Sequence, residues 1–203
     1  FGTPSVLDRL SQISPKVLFC CDGYQYKGKP FNRKQEVGAI IKALPSLDKV
    51  IYLPYLDKTD TTPPVANALL WQDVMSGPAV SAAEFTFEQV PFGHPLWILF
   101  SSGTTGLPKA IVHGHGGILL EHHKLSSLHY DLKPDDRMFF FTTTGWMMWN
   151  FVCCSMLVEA RPILYDGNPT WPEADTLWKM TDDAGARLFG ASPTLQQMQE
   201  NAG

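Results

Sequence analysis

The chain has 203 residues, 44% of them hydrophobic and 18% charged, enough apolar content to bury a sizeable core and too much for a disordered polymer. A formal charge of −4 and a pI near 5.8 give no electrostatic reason to expect nucleic acid or anionic membrane as a partner. No run is long and apolar enough to read as a membrane span or a signal peptide, and the first residue, Phe1, is not Met, so the stretch reads as a fragment of a longer protein.

Short apolar runs alternate with segments of helical spacing. Lys16–Cys21 reads as a buried strand, and 22–30 as a loop punctuated by Gly and Pro. Asn32 is placed to cap a helix whose apolar face carries Val37, Ile40, Ile41 and Leu44. Pro45 stops it, and Lys49–Leu53 is the next strand, so the opening predicts a β-α-β unit. The stretch from Pro54 to Pro95 is less regular. Residues 59–64 are polar and proline-rich, 65–75 have helical spacing, and 84–90 read as extended or irregular. A boundary near 93 is expected, with one α/β lobe over 1–92 and a second over 93–203.

Beyond it the alternation resumes. Strands are expected at 96–101, 137–142, 162–165 and 187–189, and helices at 114–129, 145–159, 172–184 and from Pro193. Strand and helix in alternation predict an α/β fold, parallel β-sheet layers with flanking helices. Cys20-Cys21 and Cys153-Cys154 sit inside apolar runs, where thiols behave as small hydrophobes. They are expected to stay unbridged, as in a reducing cytosol.

The most informative residues directly follow the strand Leu96–Phe100: Ser101, Ser102, Gly103, Thr104, Thr105, Gly106, Leu107, Pro108 and Lys109. Gly103 and Gly106 let the backbone turn tightly and bring amide N–H groups close to an anion. The hydroxyls of Ser101, Ser102, Thr104 and Thr105 add donors or Mg²⁺ ligands, and Lys109 adds a cation. The combination suits a polyphosphate. Pro108 and Ala110 flank the lysine where a P-loop needs Gly and Ser or Thr, which excludes that reading. Gly114 and Gly116 begin a dinucleotide fingerprint, but Leu119 stands at its third glycine.

That nine-residue run resembles the signature loop of adenylate-forming enzymes, with Ala110 in place of their usual Gly. The resemblance implies that Ser101–Gly106 and Lys109 embrace the ATP β- and γ-phosphates, with Lys109 catalytic and Thr105 reaching Mg²⁺. Further along, Thr142–Asn150 packs two indoles and two thioethers into four residues, Trp146, Met147, Met148 and Trp149. By themselves these suit either a helix core or the wall of a small-acid pocket. The segment resembles the following block of acyl-CoA synthetases, where these four residues border the acyl and pantetheine passages. The wording of 96–100, 110–117 and 144–150 is similar to the acetoacetyl-CoA synthetase family in particular. The resemblance implies a ligase that uses ATP, Mg²⁺ and CoA to activate acetoacetate through an acyl-adenylate. A ligase for acetate, propionate or another keto acid is the alternative, as is a non-catalytic nucleotide-binding module.

His113, His115, His122, His123 and His129 crowd together, but no metalloprotease spacing joins them, and His122 and His129 flank Ile118 and Leu125 as packed imidazoles do. The family's Mg²⁺-binding Glu, its ribose-binding Asp and its carboxy-terminal domain with a catalytic Lys are not found. The stretch alone is therefore expected to lack ligase activity and to bind ATP weakly.

Overall fold

The computed structural model describes residues 2–101 and 106–200. It divides into two compact units, one of 1–90 with 98–112 and one of 91–97 with 113–203.

In the first unit, helix α1 (Thr3–Leu10) packs beside α2 (Lys34–Ala43). Strands β1 (Val17–Cys21), β4 (Lys49–Leu53) and β5 (Leu69–Leu70) form a parallel sheet in the order β1-β4-β5, with Val17 opposite Lys49 and Ile51 opposite Leu69. The β-α-β reading is thus borne out. Successive side chains of a strand point to opposite faces. One face carries Leu18, Cys20, Val50, Tyr52 and Leu70, with Val50 and Tyr52 buried. The other presents Val17, Phe19, Leu53 and Leu69 to solvent.

Two expectations fail here. Residues 22–30 are not simply a loop: β2 (Gly23–Tyr26) and β3 (Lys29–Asn32) pair antiparallel across Lys27-Gly28. Both turn residues have positive φ, 51° and 70°, the twist a two-residue hairpin needs. The helix expected over 65–75 shrinks to α3 (Trp71–Met75), because Leu69 and Leu70 join the sheet edge beside Ile51 and Tyr52. Strand pairing outcompetes the helical spacing there. A third reading shifts as well: Arg33, not Asn32, holds the N-cap position, and Asn32 Oδ1 instead accepts the N–H of Lys34, the first helical residue, at 2.9 Å.

Strands β6 (Pro95–Phe100) and β7 (Ala110–Gly114) pair with each other and carry the loop between them. Contacts step backward along one as they step forward along the other, 101 with 109 and 97 with 113, the mark of an antiparallel pair.

In the second unit, β8 (Arg137–Phe140) is central, with β9 (Arg161–Ile163) and β10 (Leu188–Gly190) parallel on its two sides. Met138 and Phe139 point to opposite faces and each is buried, which is why the run is continuously apolar. Met138 joins Leu132, Phe151, Val152 and Ala160, where α5 (Met147–Cys154) packs. Phe139 joins Leu177 and Leu195 from α6 (Thr176–Asp183) and α7 (Pro193–Glu200). Helix α4 (His115–Lys124) runs into a wider π-type turn over Leu125–His129. Parallel sheets with flanking helices are the expected α/β class. All four cysteines are free thiols, and burial pushes Cys20 and Cys154 up to about 11. Among the described residues no helix is long and apolar enough to cross a membrane.

Candidate functional site

Strand β6 delivers Ser101 to the end of the sheet pair, and the two ends of the loop are tied there. The Ser101 N–H donates to the Lys109 carbonyl at 3.0 Å, and the Lys109 N–H donates to Ser101 Oγ at 3.0 Å. Ser101 and Lys109 are thereby held together at a fixed base. Gly106 and Lys109 are exposed, and among the described residues no carboxylate pairs with Lys109. The Pro108 carbonyl accepts from Gln12 Nε2 at 2.8 Å, so the segment after α1 props the far arm of the loop. Nothing in the sequence pattern pointed to Gln12, since a polar residue after a short helix is unremarkable. Ser102, Gly103, Thr104 and Thr105, expected to contact phosphate and Mg²⁺, lie outside the described residues.

The second candidate segment belongs to the other unit. The Trp146 N–H donates to the Thr143 carbonyl at 3.1 Å, and the Trp149 N–H to the Trp146 carbonyl at 3.0 Å. Trp146 is extended and α5 starts one residue later. Trp146 is 64% exposed and Met147 52%, whereas Met148 turns inward against the Leu132–Phe151 cluster and Trp149 is half-buried. The four residues therefore divide between surface and core.

The histidines are spread over different tasks. The first amides of α4 are satisfied by the preceding segment: the His115 N–H donates to the His94 carbonyl and the Gly116 N–H to the Phe92 carbonyl, both at 2.9 Å. A Cβ on Gly116 would lie 2.1 Å from the Phe92 ring, so this glycine is explained by close packing and not by a dinucleotide. His113 accepts from Trp97 Nε1 at 2.9 Å. His122 is buried between Trp97 and Phe151, while His123 and His129 are exposed. Burial holds the His122 imidazole below its ordinary pKa, with His113 adding to the shift and Glu121 opposing it. No three His, Cys, Asp or Glu side chains gather as a metal site among the described residues.

One buried carboxylate was missed by the sequence reading. Asp22, at the end of β1, is 3% exposed and accepts backbone N–H groups of Tyr55, Leu56 and Asp57 at 2.7–2.8 Å. Burial alone would raise its pKa, but these bonds outweigh it and hold the carboxyl below the usual range. Asp22 thereby ties the loop after β4 to the end of β1.

The sequence and structure both have close counterparts. Acetoacetyl-CoA synthetase of Gallus gallus is 40% identical over 193 residues, 94% of this chain and 29% of that protein. Acetoacetyl-coenzyme A synthetase of Rhizobium meliloti (strain 1021) is 42% identical over 193 residues, 95% of the chain and 29% of that protein. The solved acetoacetyl-CoA synthetase from Streptomyces lividans superposes with a TM-score of 0.90 at 46% identity, covering 100% of this chain and 30% of the other. The chain thus spans about three-tenths of the length of these relatives. A family described as AMP-binding enzyme matches residues 1–203 from end to end, and the chain belongs to that family.

Proposed function

We propose that this chain is the phosphate-loop portion of an acetoacetate–CoA ligase. In the first step a carboxylate oxygen of acetoacetate attacks the α-phosphorus of ATP·Mg²⁺, and the bond to the pyrophosphate oxygen breaks. In the second the CoA thiolate attacks the acyl carbon of the adenylate and AMP leaves, giving acetoacetyl-CoA. A carboxylate is a poor acyl donor until its oxygen becomes part of a good leaving group, which AMP supplies. The protein's part is to position the reactants and neutralise phosphate charge.

The observation that carries this reading is the tied loop base at Ser101 and Lys109, with an exposed ammonium that no described carboxylate neutralises. In this reading the Ser101–Gly106 amides and hydroxyls and the Lys109 ammonium hold the β- and γ-phosphates, and Thr105 contributes to Mg²⁺. Trp146, Met147, Met148 and Trp149 border the acyl and pantetheine passage. The names of the relatives support acetoacetate as the acid.

The test is product formation by the full-length protein with ATP, CoA and a panel of acetoacetate, acetate, propionate and 2-ketobutyrate. Acetoacetyl-CoA with stoichiometric AMP and pyrophosphate is expected. Higher kcat/KM for acetate or propionate replaces the proposed acid, and no thioester from any of them refutes the ligase reading.

A further inference from the structure

Below the tied loop, β6 and β7 share one side-chain hydrogen bond that the proposed chemistry leaves unused. Trp97 donates its indole N–H to His113 Nδ1 at 2.9 Å. An indole nitrogen is a donor only, so His113 Nδ1 carries no proton and the neutral ring keeps its proton on Nε2. Both side chains are half-buried. The Trp97 ring also meets His122 edge-on, with centroids 6.0 Å apart at 84°, and His122 stacks on Phe151 at 5.9 Å. Trp97 is thus fixed on two sides, by the imidazole that accepts its proton and by the buried ring beside it.

Position gives this bond its meaning. Trp97 lies four residues before Ser101 and His113 four after Lys109, on the two strands that carry the loop. Backbone bonds in a strand pair repeat with a period of two, so a slip by two residues reforms them all. Such a slip would displace Lys109 against Ser101 by about 7 Å along the strand. Side-chain bonds distinguish the two registers, and a slip breaks both the Trp97–His113 bond and the Ser101 Oγ bond to the Lys109 N–H. We infer that Trp97 and His113 are a register pin, with His113 a positioning residue that sets the loop without touching substrate. The inference rests on the ATP-binding reading of that loop.

The test uses the full-length protein and the ATP dependence of acetoacetate-driven ATP–pyrophosphate exchange. Trp97→Phe keeps the ring and removes the N–H. His113→Asn keeps an acceptor where Nδ1 stood, and His113→Leu removes it. Trp97→Phe and His113→Leu are expected to raise KM for ATP roughly three- to ten-fold, the effect of one lost hydrogen bond, with kcat within about two-fold. His113→Asn is expected to stay near wild type. In wild-type protein, nitrogen-15 imidazole signals should show His113 protonated on Nε2 alone. An unchanged KM in Trp97→Phe, equal damage from Asn and Leu at 113, or a proton on Nδ1 overturns the pin. Wild-type protein with no exchange overturns the adenylation reading instead, and the imidazole spectrum then decides the pin.

Discussion

At the level of single residues, Asp22 and His122 show what burial demands of a polar group. Asp22 accepts three backbone amides while itself buried, so Asp22→Ala should lower unfolding free energy by about 2–4 kcal/mol in urea titration, and Asp22→Asn by less. Its folded pKa is depressed, so its stabilisation is complete above the unfolded value of 3.8 and is lost as pH falls through the folded one. His122 has the same dependence for a different reason. Its buried ring resists the proton that the unfolded chain accepts near 6.5, so stability falls as pH drops below 6.5 towards the folded value. Unfolding titrations at pH 7.5 and 5.5 should show this loss in wild type and a smaller one in His122→Leu. Asp22 was illegible in the sequence because its partners are backbone groups more than thirty positions away. The bonds that tie Ser101 to Lys109, by contrast, span only eight positions.

At the level of elements, local pattern succeeded wherever local forces decide. The apolar run of β1, the spaced face of α2 and the run of β4 were each read correctly, as was the helix from 115 onward that ends in the π-type turn. The failures lie where a partner decides. Leu69-Leu70 became a strand because β4 had a free edge, and β2–β3 became a hairpin because Lys27-Gly28 took positive φ. Gly116 is another such case: its reason is Phe92, twenty-four positions earlier. Gly116→Val should cost about 1–3 kcal/mol through overpacking against that ring. Phe92→Ala in the same chain should recover part of the loss, a coupling that unfolding free energies of the two single variants and the double variant will measure.

At the level of the whole molecule, the family and the α/β class were legible, since a dense run of Ser, Thr, Gly and Lys after a strand leaves few alternatives. The pocket side of the reading was less so. Of Trp146, Met147, Met148 and Trp149, sequence spacing could not say that the first two face solvent and Met148 the core. The open sheet face bearing Val17, Phe19, Leu53 and Leu69 has a solution consequence as well. Contiguous apolar surface of this kind binds hydrophobic dyes and promotes association. The 203-residue chain by itself should bind ANS, and Phe19→Lys should reduce that fluorescence without lowering helical content by circular dichroism.

The central claim is that the loop between Ser101 and Lys109 holds the triphosphate of ATP while a carboxylate attacks it. ATP–pyrophosphate exchange by the full-length protein, measured without CoA and compared with Lys109→Ala, tests it most directly. Exchange that requires acetoacetate and falls about a hundred-fold in the variant is the expected result. Exchange that survives intact in Lys109→Ala would contradict the account.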